Sequence, residues 1–470
     1  MSRFNTASVG TKTVNLAGGE AFKETPKLEL ASILLTSFAK DQHYRTGDDT
    51  FARIRALVSD KSIHKFAAKA AIYARTKFGM RSITHVLAAE LAKVCKGEKW
   101  TKHFYAAVVH RPDDATEILS YYMANFKKPI PNSLKKGLGM AISKVNAYSL
   151  AKYRGEGKSI KMIDAVNLVH PKANEHLTQL VKGELKSTET WESKLSKAGQ
   201  DAGSDDEKEV LKKGAWEELL KEKKLGYFAL LRNLWNIHEQ AKDSLPLALE
   251  QLLNKEAIKK SLVLPFRFKT AIDELGTRNV DKRVIVALSK ALDISVDNVP
   301  HLEGKTLVAL DVSGSMSSIH GIASLFAAVL FKSNDCEMMT FEGDAKYLTP
   351  NAADSVTSIA ASLKFDGGST NFHSIFQRAK KKYDRIVILS DMQAWDGGYQ
   401  SPANYFVKYK TAFSANPFVY SWDLAGYGTM QFPERNVFAL AGFSEKVFDV
   451  MAMVEIDKNA MINEIEKVEL

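Results

Sequence analysis

The hydrophobic pattern of this chain changes its period at Pro300, and this change limits the folds open to it. From Leu28 to about Leu292, apolar residues recur at spacings of three and four, the period of helices buried along one face. After Pro300, short apolar runs of strand type alternate with helical segments. The two periods predict a multidomain chain: an extended arm rich in small polar residues over 1–25, an all-α domain over 26–300 and an α/β domain over 301–470.

Helices in the all-α part follow one another through short connections. Two of them, predicted over 63–78 and 83–94, are separated by Gly79, where a helix–helix turn favours glycine. Stacked helix pairs of this kind form an α-solenoid in the manner of HEAT arrays, although the sequence contains no repeat of fixed period. Residues 198–207 lack an apolar anchor and are predicted to be a mobile surface loop.

The last part of the chain has the alternation typical of a doubly wound domain. Strands are predicted over 305–311, 336–341, 385–390, 417–422 and 436–440, and helices over 319–331, 353–363, 372–382, 401–412 and 445–452. Strand–helix alternation predicts a mainly parallel sheet with helices on both faces.

Composition excludes several classes of protein. Of the 470 residues, 45% are apolar and 26% are charged, which is ordinary for a globular protein. No apolar run is long enough to span a membrane, and the N-terminus has no apolar core of the secretory kind. Two cysteines, Cys95 and Cys336, are too few for a disulfide framework or a zinc site of the usual ligand count, so we expect a cytoplasmic protein.

Charge is divided unequally between the two parts. Residues 301–470 carry 15 Lys and Arg against 20 Asp and Glu, whereas residues 1–300 carry 50 against 35. The net charge of +10 therefore combines a front part of +15 with a back part of −5. This asymmetry favours an anionic partner for the helical part; the alternative is a well-solvated, lysine-rich surface.

Hydroxyl and carboxylate side chains follow the predicted strands of the α/β part. Asp311, Ser313 and Ser315 follow the first strand, Thr370 follows a Gly-Gly pair before a helix, and Asp391 ends a later strand. Because ligands bind at the carboxyl ends of strands in an open α/β sheet, we expect all five to meet at one edge. Hard oxygen donors of this kind suit a divalent cation, and Mg²⁺ before others.

These five residues resemble, in type and order, the metal-ion-dependent adhesion site of von Willebrand factor A domains, over about 303–470. The resemblance implies that the metal keeps one position open for a carboxylate of a partner. A competing interpretation is a phosphatase or nuclease with Asp311 as nucleophile, but a second acid or a nearby lysine is missing, and position 313 is serine. We therefore expect binding and no enzymatic activity.

The helical part has a dense basic stretch that we take as a candidate nucleic-acid-binding surface. Lys136, Lys144 and Lys152 are eight residues apart, so on one continuous helix they would lie broadly on one side, with Tyr153 available to stack on a base. The alternative is a solvated lysine face. The candidate RNA contacts are Lys135, Lys136, Lys144, Lys152, Arg154, Lys158, Lys161, His170 and Lys172.

Several segments resemble the TROVE domain of the Ro autoantigen family of RNA-binding proteins. They cover residues 15–22, 74–82, 134–144, 150–153, 191–199 and 229–234. A TROVE domain followed by a von Willebrand factor A domain is the architecture of that family, so the resemblance spans nearly the whole chain. Two departures, Tyr227-Phe228 in place of a common Met-Pro pair and Met162 in place of an RNA-contacting histidine, fit a bacterial or phage member better than an animal one.

The resemblance implies a monomeric ring of helical repeats whose ends are joined by the von Willebrand factor A domain. It also implies that a small, structured Y-type RNA binds a basic outer surface, and that single-stranded 3′ ends of misfolded or fragmentary RNA enter a central hole. In bacterial members the complex can tether an exoribonuclease such as polynucleotide phosphorylase. The rival hypothesis is a protein-interaction scaffold that uses the metal site without RNA.

Overall fold

A computed structural model describes the chain over residues 11–14, 20–23, 25–36, 47–95, 97–127, 129–185, 190–261, 263, 265–297, 299–394, 402–425, 427, 429–430, 437–441, 447–448, 451–452, 455 and 460–470. Much of the predicted arm, and half of the helix predicted over 445–452, lie outside these residues.

Helices make up the first part of the chain. In chain order they are α1 (Pro26–Thr36), α2 (Gly47–Val58), α3 (His64–Lys77), α4 (Ser82–Val94), α5 (Thr101–Val108), α6 (Pro112–Phe126), α7 (Asn132–Ile142), α8 (Ala147–Lys152), α9 (Met162–Val169), α10 (Glu175–Lys182), α11 (Trp191–Gln200), α12 (Asp205–Lys221), α13 (Tyr227–Gln240), α14 (Leu245–Leu252), α15 (Lys255–Ser261), α16 (Pro265–Gly276) and α17 (Lys282–Val296). None of the helices in the described part of the chain has the length and apolar character needed to cross a membrane.

Contacts between these helices follow a regular rule. From α1 to α5, each helix packs against the helix two positions further along the chain, and α12 and α13 pack against α14 and α15 in the same way. This is the pattern of stacked helix pairs, so the predicted helical-repeat character is confirmed. Gly79, between α3 and α4, has a φ of +67°, in the left-handed region that favours glycine.

Two local predictions in the helical part are wrong. Only residues 201–204 of the loop predicted over 198–207 are outside helices, because α11 continues to Gln200 and α12 begins at Asp205. The Ser204 side chain accepts a hydrogen bond from the Glu207 N–H at 3.2 Å, and acidic residues in the first turn favour a helix start there. The continuous helix assumed through the basic stretch is interrupted, since residues 143–146 separate α7 from α8 and Asn146 caps the second helix.

Within the described residues the strands form two sheets. The strands are β1 (Thr11–Val14), β2 (Glu20–Lys23), β3 (Thr306–Asp311), β4 (Cys336–Phe341), β5 (Ala345–Leu348), β6 (Arg385–Ser390), β7 (Phe418–Asp423), β8 (Thr429–Met430) and β9 (Val437–Ala441). The smaller sheet has the order β1-β2-β8, with antiparallel pairs. The larger has the order β5-β4-β3-β6-β7-β9, and only the pair β4–β5 is antiparallel among its described strands.

The α/β part also contains the helices α18 (His320–Ser333), α19 (Val356–Ser362), α20 (His373–Arg378) and α21 (Pro402–Phe413), which lie between strands, and α22 (Ala460–Glu466), which follows β9. The predicted strand–helix alternation and mainly parallel sheet are therefore confirmed. β4 and β6 have the predicted limits, and β3, β7 and β9 begin one residue later than predicted. The edge strand β5 was not predicted.

Alternate residues of β3 face two separate apolar cores. Val308 and Leu310 belong to a core that continues through the helical part, whereas Leu307 and Ala309 face a smaller core with α20 and α21. A strand buried on both faces needs an apolar side chain at nearly every position, which is why this run was recognisable in the sequence.

The α/β part contacts both ends of the helical part. At the first end, α1 packs against β9, α22 packs against α3, and the Lys27 ammonium lies 2.7 Å from the Glu466 carboxylate. At the last end, α17 packs against α18 and α19, and the Asp293 carboxylate accepts a hydrogen bond from the Val356 N–H at 2.9 Å. The α/β part therefore contacts both the first and the last helices of the helical part.

A buried carboxylate organises the junction of α3, α4 and α6. Asp114 is fully buried and accepts hydrogen bonds from Arg75 at 2.9 Å and Arg81 at 2.8 Å, and it lies 3.0 Å from His85 Nε2. Burial by itself raises the pKa of Asp114, but the hydrogen bond and charge of His85, together with Arg75, hold it well below its ordinary value.

We expect Asp114→Ala to lower the free energy of unfolding by about 3 to 5 kcal/mol at neutral pH, because it leaves the buried Arg75 guanidinium without its carboxylate partner. The contribution of a carboxylate with a lowered pKa is present above about pH 4 and is lost as the pH falls further. Thermal unfolding followed by circular dichroism, once at neutral pH and once below about pH 4, measures this contribution. Asp113→Ala, which removes a more exposed partner of Arg81 and Arg111, is the control and should cost far less. Equal melting temperatures of Asp114→Ala and the parent protein at neutral pH would contradict the stabilising role of Asp114.

Candidate cation site and basic surface

The two predicted strand-end carboxylates lie on neighbouring strands. Asp311 ends β3, and Asp391 directly follows β6, which pairs with β3 in parallel. The sheet extends from β3 toward β4 in one direction and from β6 toward β7 in the other, so these strands flank the switch point of the sheet. This is the position at which open α/β sheets bind ligands.

Two hydrogen bonds hold the Asp311 carboxylate in place. Its Oδ1 accepts from the Ser313 N–H at 2.9 Å, and its Oδ2 accepts from the Ser390 hydroxyl at 2.6 Å. The Ser313 Oγ lies 3.4 Å from the Ser315 Oγ, and both serines are buried. The loop after β3 therefore gathers several oxygen atoms into one small buried region.

A glycine-rich loop is hydrogen-bonded to the same region. The Gly367 N–H donates to the Val312 carbonyl at 2.9 Å, and the Gly314 N–H donates to the Gly368 carbonyl at 3.0 Å. A Cβ at Gly314 would lie 3.3 Å from the Gly367 carbonyl oxygen, so the close approach of the two backbones favours glycine. This contact brings the loop of Thr370, itself buried, to the edge that carries Asp311.

Asp391 has an oxygen that the described residues leave unsatisfied. Its Oδ1 accepts from the Gln393 N–H at 3.1 Å, but its Oδ2 is buried without a hydrogen-bond partner. Burial, followed by the Asp311 carboxylate, raises the pKa of Asp391 well above its ordinary value, and burial raises the pKa of Asp311 to about 6. Adjacent buried carboxylates are costly unless a cation lies between them. The residues present therefore fit a hard divalent ion.

A further carboxylate, Asp423, was not predicted. It ends β7, is buried, and its charge also raises the pKa of Asp391. Its place at the end of a predicted strand was the signal that could have identified it. Among the described residues, no three His, Cys, Asp or Glu side chains are grouped as metal ligands, so a cation here would take further ligands from hydroxyls and water.

The nine predicted RNA contacts differ in how they are engaged. Some are lysines for which the described residues provide no carboxylate partner: Lys135, which is half-buried, and Lys136, Lys144 and Lys172, which are exposed. His170 is also exposed and ends α9 in a left-handed conformation. These five side chains can receive an anion without breaking an existing ion pair.

The remaining predicted contacts already have partners. Lys152 lies 3.5 Å from Glu192, Lys158 lies 2.8 Å from Glu117, and Lys161 lies 3.3 Å from Glu156. Arg154 donates to the Leu185 carbonyl. These four side chains are less available to phosphates than the sequence alone indicated.

A basic cleft of about 950 Å³ adjoins Lys136 and was missed by the sequence analysis. Its lining includes Lys93, Lys99, Lys102 and His103, which come from α4, α5 and the segment between them. The spacing of Lys93, Lys99 and Lys102 was the available signal, but only the packing of α5 against α7 brings them beside Lys136. The cleft extends the candidate RNA-binding surface beyond the predicted stretch.

Comparison with known proteins identifies the helical part. The TROVE domain family matches residues 32–183 and 181–296, together more than half of the chain. Telomerase protein component 1 of Rattus norvegicus is 22% identical over 376 residues, covering 57% of this chain and 14% of that protein. The Mus musculus protein of the same name is 22% identical over 344 residues, covering 53% and 13%. The chain thus spans about one seventh of the length of these relatives.

A solved structure is similar over nearly the whole chain. The crystal structure of the Deinococcus radiodurans Ro (RSR) protein has a TM-score of 0.61 and 17% identity, covering 94% of this chain and 99% of that one. At this identity the likeness concerns the fold. Together with the family match, it leads to one conclusion: this chain belongs to the TROVE domain family and has a fold similar to that of the solved Ro protein.

Proposed function

We propose that this protein binds non-coding RNA through its helical part and catalyses no reaction. The observation that carries the proposal is the coincidence of the TROVE match, residues 32–296, with the part of the chain that has a net charge of +15. Positive charge supplies sequence-independent affinity for phosphates. Binding of this kind needs no catalytic group.

The surface proposed for a small, structured Y-type RNA comprises Lys135, Lys136, Lys144 and Lys172 with His170, and it continues into the basic cleft beside Lys136. We favour these side chains because the described residues leave them without carboxylate partners. An RNA duplex is recognised mainly by its shape and backbone, which suits a surface of lysines.

The second part of the proposal is a closed, monomeric ring that takes single-stranded 3′ ends of misfolded or fragmentary RNA in its hole. It is supported by the contacts of the α/β part with both α1 and α17. A hole too narrow for a duplex would select free ends by shape. Such a complex, placed in the cytoplasm, would act in RNA quality control or tether an exoribonuclease such as polynucleotide phosphorylase.

For the α/β part we propose a von Willebrand factor A-like domain that binds one divalent cation, Mg²⁺ before others. Asp311, Ser313, Ser315, Thr370 and Asp391 would hold the ion, which supplies an open coordination position for the carboxylate of a protein partner. The proposal is supported by the buried, unsatisfied Asp391 Oδ2 beside the Asp311 carboxylate.

The direct test is to isolate the protein from its own host at moderate salt and sequence the RNA that accompanies it. We expect a small structured RNA, or fragments with unpaired 3′ ends, above the background of a mock purification. Recovery of a protein partner without RNA would reject RNA binding and favour the scaffold hypothesis, in which the cation site binds carboxylates of other proteins.

A further inference from the structure

One face of α13 presents an aromatic and basic stripe outside the surfaces described above. Phe228, Arg232 and Trp235 stand at positions i, i+4 and i+7, which lie on one side of a helix. Phe228 is a large apolar side chain that is 41% exposed, and Arg232 is also exposed. The opposite face of the helix buries leucines and Ile237 in the core.

Two guanidinium groups converge on the Phe228 ring. The Arg232 guanidinium lies 5.8 Å from the ring centroid, and that of Arg267, on α16, lies 5.9 Å from it. Burial, followed by the charge of Arg232, lowers the pKa of Arg267. Within the described residues Arg232 has no carboxylate partner. One cation over an exposed ring is an ordinary surface contact, but two cations over one ring repel each other and favour an anion nearby.

The first turn of α13 is anchored, so the Phe228 ring is held in position. The Tyr227 hydroxyl donates to the Leu252 carbonyl at 2.7 Å, and the Tyr227 ring meets the buried Phe268 ring edge-on, with centroids 6.2 Å apart. Phe268 follows Arg267 directly, so the same contact joins α16 to the start of α13. A side chain held in this way loses less conformational entropy when a ligand binds.

A second aromatic platform stands further along the stripe. The Trp235 ring is half-buried and stacks on His238 with centroids 5.7 Å apart, and the Arg278 guanidinium lies 4.9 Å from it. Arg278 also pairs with Glu274 at 2.8 Å, so its charge is partly satisfied. Seven residues of helix separate Phe228 and Trp235 by about 10 Å along the helix axis, so the two rings form separate platforms.

We propose that Phe228, Arg232 and Arg267 form a binding site for single-stranded RNA, in which a base stacks on Phe228 and a flanking phosphate lies between the two guanidinium groups. Trp235 provides the platform for a second base. Rings and arginines bind any base through its π-face and any phosphate through its charge, so the site is tolerant of sequence. The inference rests on the proposed RNA binding and deepens it, since it assigns the single-stranded segment to named side chains.

The test compares Phe228→Leu, which keeps apolar bulk but removes the ring, with Phe228→Tyr, which keeps the ring. Fluorescence anisotropy with a short labelled oligouridylate, and separately with a fully paired RNA hairpin, gives the two dissociation constants. We expect Phe228→Leu to raise the Kd for oligouridylate at least about fivefold, and Phe228→Tyr to restore it, while hairpin binding stays unchanged. Phe365→Leu, at a ring that is also 41% exposed but lies in the α/β part, is the matched control and should bind as the parent protein does.

The outcomes separate the two proposals. Unchanged oligouridylate binding by Phe228→Leu, with the parent protein binding both RNAs, would overturn this site and leave RNA binding intact. Equal loss of both RNAs would overturn its preference for single strands. No binding of either RNA by the parent protein would reject the proposed function and this inference with it.

Discussion

Replacing Lys135, Lys136 and Lys144 together by Glu is expected to lower the affinity for a small structured RNA by about two orders of magnitude at roughly 0.1 M salt. These lysines have no carboxylate partner among the described residues, so each can neutralise a phosphate and release a counterion. Loss of three such contacts should also flatten the slope of log Kobs against log salt by about 2.7. Filter binding across a salt series measures both quantities.

The matched control is a triple variant with the same change of charge in the α/β part. Lys346, Lys364 and Lys382 are exposed and likewise lack carboxylate partners among the described residues. Their replacement by Glu should change the affinity far less, because only long-range repulsion is added. If the two triple variants lose affinity equally, net charge and not the surface around Lys136 explains the binding.

Asp391→Asn is expected to abolish stabilisation of the protein by Mg²⁺. A ligand at about one hundred times its Kd stabilises the folded state by about 2.7 kcal/mol, which thermal unfolding resolves readily. The parent protein should therefore melt at a higher temperature with Mg²⁺, whereas the variant should not respond. Without Mg²⁺ the variant should be at least as stable as the parent protein, because it no longer buries the unsatisfied carboxylate oxygen.

Two further variants make this result specific. Asp311→Ala should also lose the response to Mg²⁺, whereas Asp335→Asn, at an exposed carboxylate of the same part, should retain it. All three should keep the parent affinity for structured RNA, because the proposed RNA surface lies on the helical part. A preserved Mg²⁺ response in Asp391→Asn would rule out the cation site, and a parallel loss of RNA binding would place the cation at the RNA interface.

The candidate cation site was largely readable from the sequence. Strands such as β6 are buried on both faces, so an unbroken apolar run marks them, and their carboxyl ends converge in any parallel sheet. The same argument predicts from the sequence that Asp311 and Asp391 lie at one edge of the sheet. Asp423 obeys the same logic and was overlooked, while the short edge strand β5 has too few residues for its alternation to be distinctive.

Two helix starts were also missed, because the sequence prediction gave more weight to composition than to capping residues. The acidic segment 198–207 was predicted to be a loop, yet Ser204 followed three residues later by Glu207 is a helix start, with the carboxylates favoured by the helix dipole. The opposite error occurred in the basic stretch, where Asn146 begins a new helix and divides the supposed lysine face.

Sequence alone determined the two hydrophobic periods, the order of helices and strands, the family motifs and the oxygen donors at the strand ends. Only the tertiary structure decided which charges are available: Lys158 is paired with Glu117, 41 residues away, while Lys136 borders a cleft. It likewise brought Arg267 to Phe228 across 39 residues. The reason is physical. Periods, caps and strand ends are set by neighbours along the chain, whereas ion pairs and ring contacts depend on which helices pack side by side.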